Sequence, residues 1–281
     1  MSILAHLISW LNTVGNGLFD LLQKPMMVLP AWLSLTVISA VFGVLMLILF
    51  KHTSNQAAIG KVRDAIKAHL LAMKLFKDNI PVVLKSQVKI LVNAFLLLVH
   101  SFRPMLVMII PFSLLLGQLG LWYQSRPLAA GEEAVVTLQL AASDADPMPP
   151  VSLQSSAAAV VTIGPVRVPS KRQVFWQIQA VEPGTHQLTV QIGYMQFRKD
   201  LAVGDGLMPV SMKRPLLNNI TDLILHPAEK PFDTSSPVYS ISINYPDRPS
   251  KVTGTDYWII SLFVVSMVVA FLLKPFFNVK F

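Results

Sequence analysis

Three stretches of the chain carry no charged side chain and are long enough to cross a bilayer. They are the runs Pro30 to Phe50, Pro104 to Tyr123 and Tyr257 to Leu273. A hydrocarbon core of about 30 Å requires about 20 apolar residues of helix. The pattern therefore predicts three transmembrane helices, at residues 30–50, 104–123 and 257–273.

Residues 51–103, between the first two runs, have a helical pattern with a break near the middle. The break is Asp78-Asn79-Ile80-Pro81, because proline disfavours a helical conformation in the residue before it. Two arms joined by a short turn predict a helical hairpin. One apolar face of the first arm holds Ile59, Val62, Ile66, His69, Met73 and Phe76. One apolar face of the second arm holds Leu84, Val88, Leu91, Phe95, Leu98 and Phe102.

Residues 1–24 have apolar side chains at helical spacing on one side and polar side chains on the other. The apolar side includes Trp10 and Leu18, and the polar side includes Asn12 and Asn16. An amphipathic helix with a tryptophan and little charge suits the plane of the membrane interface. We therefore expect an interfacial helix before the first span.

Residues 127–252 change to a period of two. Val135-Thr137-Gln139, Val174-Trp176-Ile178 and Leu188-Val190-Ile192 alternate in this way, and Gly and Pro turns separate the segments. Short alternating segments with such turns predict an antiparallel β-sandwich, for which an immunoglobulin-like arrangement is expected. The sequence thus predicts a mixed α and β integral membrane protein with a sandwich inserted before its third span.

The positive charge is concentrated in the predicted hairpin. Of the formal net charge of +8, residues 51–103 contribute nine Lys or Arg against Asp64 and Asp78, whereas residues 124–256 hold eleven basic and twelve acidic residues. Short loops rich in Lys and Arg remain in the cytoplasm. We expect a multi-pass protein of a bacterial inner membrane, with a periplasmic sandwich and a cytoplasmic tail at 274–281.

One rival topology makes Ile80 to Val99 an additional span, which would place the sandwich in the cytoplasm. Lys85 and Lys89 disfavour it, since a lysine at mid-membrane costs about 3 kcal/mol.

No catalytic motif is evident in the sequence. It has no glycine-rich phosphate loop, no metalloprotease helix, no nucleophile elbow and no cysteine. The absence of cysteine also excludes a disulfide in the sandwich. We expect neither an enzyme nor a bound metal or cofactor.

A positive stripe follows one side of the first arm of the hairpin. It consists of Arg63, Lys67, Lys74 and Lys77. Three interpretations remain open: a solvated face that satisfies the positive-inside rule, attraction to anionic lipid headgroups, and contact with phosphates such as those of ribosomal RNA.

Small and weakly polar residues mark one side of the first two spans. Thr36 and Ser39 lie in the first span, Ser113 and Gln118 in the second, and Arg103 at its cytoplasmic entry. Such faces allow membrane helices to approach closely. They suit either simple helix packing or a wetted groove that receives a substrate.

The order of these elements resembles the YidC/Oxa-type membrane insertase superfamily. The resemblance is one of layout over residues 1–123 and the last span, and the run Lys51-His52-Thr53-Ser54-Asn55-Gln56 looks like the junction after the first core span of that family. It implies a groove, open to the cytoplasm and the lipid, that accepts hydrophobic client segments. This chain differs from bacterial members in having no arginine in the first span, so Thr36, Ser39, Ser113 and Gln118 would supply the polarity of a groove.

Two functional hypotheses follow. The first is a factor for membrane-protein biogenesis of the insertase type, whose partners are client membrane proteins and, through the positive stripe, the ribosome or anionic lipid. The second is a non-catalytic envelope scaffold or complex subunit that binds a protein partner through its outer sandwich.

Overall fold

We analysed a computed structural model of the chain, which describes residues 2–141, 148–248, 257–277 and 279. The chain divides into two compact units. The β unit comprises Met1–Leu35 and Ser113–Ile259, and the helical unit comprises Thr36–Phe112 and Ile260–Phe281.

Three of the described helices, α2, α4 and α6, are long and apolar enough to cross a membrane, as predicted. A short 3₁₀ turn at Lys24–Val28 joins the first two helices. Asn55 and Asn79 cap the N-termini of α3 and α4, since their side chains accept hydrogen bonds from the backbone N–H groups of Ala58 and Val82. The helices are α1 (Ser2–Gln23), α2 (Ala31–Thr53), α3 (Gln56–Leu75), α4 (Ile80–Tyr123), α5 (Ile220–Leu225) and α6 (Trp258–Phe277).

The second arm of the hairpin and the second span form one helix. The sequence suggested a boundary at Arg103-Pro104, whereas α4 runs through Pro104 and Pro111 without interruption. Proline removes a backbone hydrogen bond from a helix, but membrane helices tolerate it where other groups satisfy the freed carbonyl.

Two antiparallel sheets form the body of the β unit. The larger has the order β3-β4-β1-β8-β7 and the smaller the order β2-β5-β6. The strands are β1 (Glu133–Leu140), β2 (Val151–Gln154), β3 (Ala159–Val168), β4 (Gln173–Ala180), β5 (Gly184–Ile192), β6 (Met195–Val203), β7 (Lys213–Pro215) and β8 (Val238–Ile243).

Both sheets contribute side chains to a single apolar core. Val136 and Trp176 of the larger sheet and Val190 and Leu201 of the smaller are almost completely buried in one cluster. Successive residues of a strand point to opposite faces, so the period of two in the sequence fills this core with alternate residues. The described strands confirm the prediction of antiparallel β structure.

Candidate client-binding and membrane-contact surfaces

The predicted apolar face of the second hairpin arm is turned outward. Its six residues, Leu84, Val88, Leu91, Phe95, Leu98 and Phe102, are between 56% and 71% exposed. We call this set the α4 stripe. The less exposed side of the helix instead carries Ser86, Ile90, Asn93, Ala94 and Leu97. The helical period of the apolar residues was evident in the sequence, but the direction in which they face is the reverse of that in a soluble hairpin.

The apolar face of the first arm is turned inward for most of its length. Ile59 is completely buried, and Val62, Ile66, His69 and Met73 are half-buried, whereas Phe76 at the end of the arm is exposed. His69 lies on this apolar side, as a helix-packing histidine would. The two arms therefore differ: α3 buries its apolar face and α4 exposes it.

Three residues of the positive stripe lie on α3, and the fourth, Lys77, lies in the turn after the helix ends at Leu75. Lys67, Lys74 and Lys77 are exposed, and Arg63 is half-buried. Asp64 lies 3.8 Å from the Lys67 ammonium, but both side chains are largely exposed, so this pair contributes little to stability. The stripe is thus available for an anionic partner.

The spans of the helical unit pack closely where α2 meets α6. A Cβ atom on Gly43 would lie 2.5 Å from the carbonyl oxygen of Ser266, so the two backbones approach as only glycine allows. Phe112 of α4 stacks between Phe42 and Phe263, with ring centroids 5.5 and 5.4 Å apart. At this level the helices are in direct contact.

The predicted groove residues are divided between the two units. Thr36 and Ser39 belong to the helical unit, where Ser39 is completely buried. Ser113 and Gln118 belong to the β unit; Ser113 is half-buried and Gln118 is buried. The side chain of Arg103 lies outside the described part of the structure. The amide of Gln118 donates a 2.7 Å hydrogen bond to the side-chain oxygen of Asn16 on α1.

Helix α1 packs against the β unit through a mixed face. Ala5 and Ile8 join an apolar cluster with Leu217 and Leu223, and polar side chains beside them make hydrogen bonds. The Asn12 amide donates to the carbonyl of Leu223, and the Asn16 amide donates to the carbonyls of Pro227 and Ala228. Farther along, the buried Gln23 amide donates to the Tyr123 hydroxyl, which is also bonded to Ser34.

The opposite face of α1 is apolar and uncovered. Its exposed large apolar side chains are Ile3, Leu4, Leu7, Trp10, Val14, Leu18, Leu21 and Leu22. A row of large apolar side chains on an uncovered helix face suits contact with lipid at the membrane interface.

A buried ion pair lies in the β unit, between β6 and the segment before β8. The Lys199 ammonium, completely buried, donates to Glu229 at 2.6 Å and to the Ser211 hydroxyl at 3.0 Å. Burial lowers the pKa of Lys199, although Glu229 opposes this, and burial raises the pKa of the neighbouring Asp200 carboxyl. The sequence contains a signal for this site, since Lys199 takes an inward position between Phe197 and Leu201 on an alternating strand.

A small cavity of about 140 Å³, with a mixed polar and apolar lining, lies next to Asp200 and Ser211. Residues of α1, of α4 and of the sheets line it, among them Asn16, Gln118, Asp200 and Ser211. Within the described residues, no group of three His, Asp or Glu side chains could hold a metal ion.

Comparisons of the chain with protein-family models, with curated proteins and with solved structures gave no match.

Proposed function

We propose that this protein is a non-catalytic factor for membrane-protein biogenesis, of the insertase type, that holds a hydrophobic client segment against the α4 stripe. The observation that carries the proposal is the exposure of that stripe. Six large apolar side chains in a row on a soluble surface form an interaction site rather than an ordinary surface. The proposal moves the site of client contact from a groove between the spans to the outer side of the hairpin.

The length of α4 supports a client rather than lipid as the occupant of the stripe. A helix rises 1.5 Å per residue, so the 44 residues of α4 extend about 66 Å, more than twice the hydrocarbon thickness. If residues 104–123 cross the bilayer, then the stripe extends up to about 30 Å beyond the membrane surface. Lipid chains do not reach that far, whereas a hydrophobic segment emerging from a ribosome does.

Charge supports a topology with the hairpin in the cytoplasm of a bacterium and the sheets in the periplasm. Helix α1 then lies in the outer interface of the inner membrane, with its exposed apolar face in lipid and its amides on the β unit. The positive stripe then lies on the cytoplasmic side of the membrane, where ribosomes and anionic lipid headgroups are found. It consists of Arg63, Lys67, Lys74 and Lys77.

The α4 stripe is tested by insertion of a client in proteoliposomes. The client is a single-span protein with a short polar tail, and insertion is measured by protease protection of that tail. Leu91→Gln with Phe95→Gln should reduce insertion several-fold, because two central apolar contacts are lost. Leu71→Gln with Leu75→Gln is a matched control, since these residues of α3 are 65% and 72% exposed but lie off the stripe. Equal activity of both variants and the parent would contradict the proposal.

The positive stripe is tested by neutralisation. Lys67→Gln, Lys74→Gln and Lys77→Gln should weaken binding to ribosomes or anionic vesicles and make it less sensitive to salt. The control variant neutralises Lys51, Lys85 and Lys89, which are equally exposed lysines outside the stripe. If the two variants bind alike, the alignment of the four charges has no role.

Close packing of the spans favours a second candidate function. The contact of Gly43 with Ser266 and the burial of Ser39 suit a scaffold subunit with no groove at this level. If the protein is such a scaffold, proteoliposomes that contain it would not insert the client. Affinity purification would then recover a stable complex in which an envelope protein is bound to the sheets.

A further inference from the structure

Several amide and hydroxyl side chains lie together on the outer face of the larger sheet, beside Phe175, which pairs with Thr137. One row across the sheet pairs Thr137 with Ser242 and Ser242 with Lys213. The next row pairs Gln173 with Gln139 and Gln139 with Ser240. The intervening residues of these strands, such as Val136 and Leu138, fill the core, so these polar side chains face away from it.

Two neighbouring depressions in this region share one aromatic residue, Tyr239. The first, of about 450 Å³, is lined by these polar side chains. The second, of about 410 Å³, is lined by Asn218, Asn219, Ile220 and Thr221. Tyr239 lines both depressions, which are shallow and open to solvent.

A chain of hydrogen bonds holds the centre of this surface in place. The Asn219 amide donates to the Tyr239 hydroxyl at 3.0 Å and to Asp222 at 2.7 Å. Asp222 in turn accepts from the Lys213 ammonium at 2.5 Å. The ring of Tyr239 also packs against the core of the β unit. The tyrosine is therefore positioned before any ligand arrives, which lowers the entropic cost of binding.

The lining is electrically neutral and mixes polar and apolar surface. Lys213 is the one charged residue among those described as lining the two depressions, and Asp222 neutralises it. A neutral lining disfavours an anionic or cationic ligand, because its charge would lose water without gaining a partner. Amides and hydroxyls that both donate and accept suit a ligand that presents many hydroxyl groups.

We propose that this surface, the Tyr239 cleft, binds a neutral oligosaccharide, with one sugar ring in each of the two depressions that Tyr239 lines. The aromatic ring would contact the apolar face of a sugar, and Gln139 and Gln173 would bond its hydroxyls. The inference is independent of client insertion, since it concerns only the β unit.

Binding is tested on the full chain, purified in a detergent without a sugar headgroup. The probes are tetramers of β-1,4-linked N-acetylglucosamine and of β-1,4-linked glucose, with a galacturonic acid tetramer as the anionic comparison. Saturation-transfer NMR should show contact of a neutral tetramer with the protein, and calorimetry should show a preference over the anionic one.

Variants then locate the site. Gln139→Ala with Gln173→Ala should weaken binding about tenfold, and Tyr239→Leu should weaken it at least as much. Gln154→Ala is the matched control, because Gln154 is an exposed glutamine on the smaller sheet. Absence of saturation transfer from both neutral tetramers, or equal binding by the glutamine variant and the control, would overturn the proposal.

Discussion

The sheets of the β unit bury their apolar residues, whereas helix α4 of the helical unit exposes a row of them. In β1 and β4 the apolar residues Val136, Leu138, Trp176 and Ile178 point into the core. In α4 the apolar residues of the stripe point outward, and the less exposed side is mixed, with Ser86 and Asn93 beside Ile90, Ala94 and Leu97. The same arrangement recurs on α1, where Asn12 and Asn16 face the protein.

The difference shows that periodicity defines a face but not its direction. In water, the hydrophobic effect turns an apolar face inward. Against lipid or a hydrophobic client that driving force is absent, and polar contacts between helices decide which side is buried. The comparison can therefore be tested by changing a polar group in the interior of each region.

The largest effect is expected from Glu229→Gln in the β unit. The change leaves the completely buried ammonium of Lys199 without its counter-charge, which costs about 3–5 kcal/mol. Amide hydrogen exchange of β5 and β6 in the full chain should accelerate about a hundredfold or more.

Two further variants check the cause of this loss. Lys199→Met combined with Glu229→Leu removes both charges and should recover most of the protection. Asp64→Asn removes the exposed partner of Lys67 and should change nothing measurable. Unaltered exchange in Glu229→Gln would show that the pair does not hold this end of the sheets together.

A smaller loss is expected where a helix contacts the β unit through glycine. A Cβ atom on Gly117 would overlap the carbonyl oxygen of Ile224, so Gly117→Ala should destabilise the contact of α4 with α5 by about 1–3 kcal/mol. Gly17 of α1 has no atom within 4 Å of such a Cβ, and Gly17→Ala should stabilise that helix by up to about 1 kcal/mol. The thermal unfolding temperature should fall in Gly117→Ala and rise in Gly17→Ala, each relative to the parent. Shifts of the same sign would refute the contact of Gly117 with α5.

The smallest loss is expected on the polar face of α1. Asn16→Ala removes the acceptor for Gln118 and the donor to Pro227 and Ala228, at a cost of about 1–2 kcal/mol. Thr13→Ala is the control, because the Thr13 hydroxyl is exposed and bonds only within its own helix, to the carbonyl of Ser9. Amide exchange along α1 should accelerate in Asn16→Ala and stay at the parent rate in Thr13→Ala; acceleration in neither would mean that the amides do not fasten α1.

The sequence predicted those parts of the fold that depend on local pattern. The length of the uncharged runs predicted the three long apolar helices. The alternation of apolar and polar residues predicted strands such as β1, β4 and β5. The short elements β2, β7 and α5 were missed, because three to six residues carry too little pattern to be distinguished from loops. The boundary at Arg103-Pro104 was expected because proline usually ends a helix in water, whereas α4 continues through it.

The candidate surfaces were harder to predict, because they depend on contacts between distant parts of the chain. Gln118 was identified as a polar residue of the second span, but its partner Asn16 is 102 positions earlier. Lys199 and Glu229 are 30 residues apart, and only the fold brings them together. The outward direction of the α4 stripe depends on its surroundings, which no local pattern encodes.

The central claim is that the α4 stripe lies outside the lipid. The chain has no cysteine, so single cysteines at Leu84, Leu91, Leu106 and Ile110 can each carry a spin label in the otherwise native protein in bilayers. The account predicts that labels at Leu106 and Ile110 collide with oxygen from the lipid phase, whereas labels at Leu84 and Leu91 collide with a water-soluble nickel chelate. If the label at Leu91 is as well shielded from nickel and as accessible to oxygen as the label at Leu106, lipid covers the stripe and the account is contradicted.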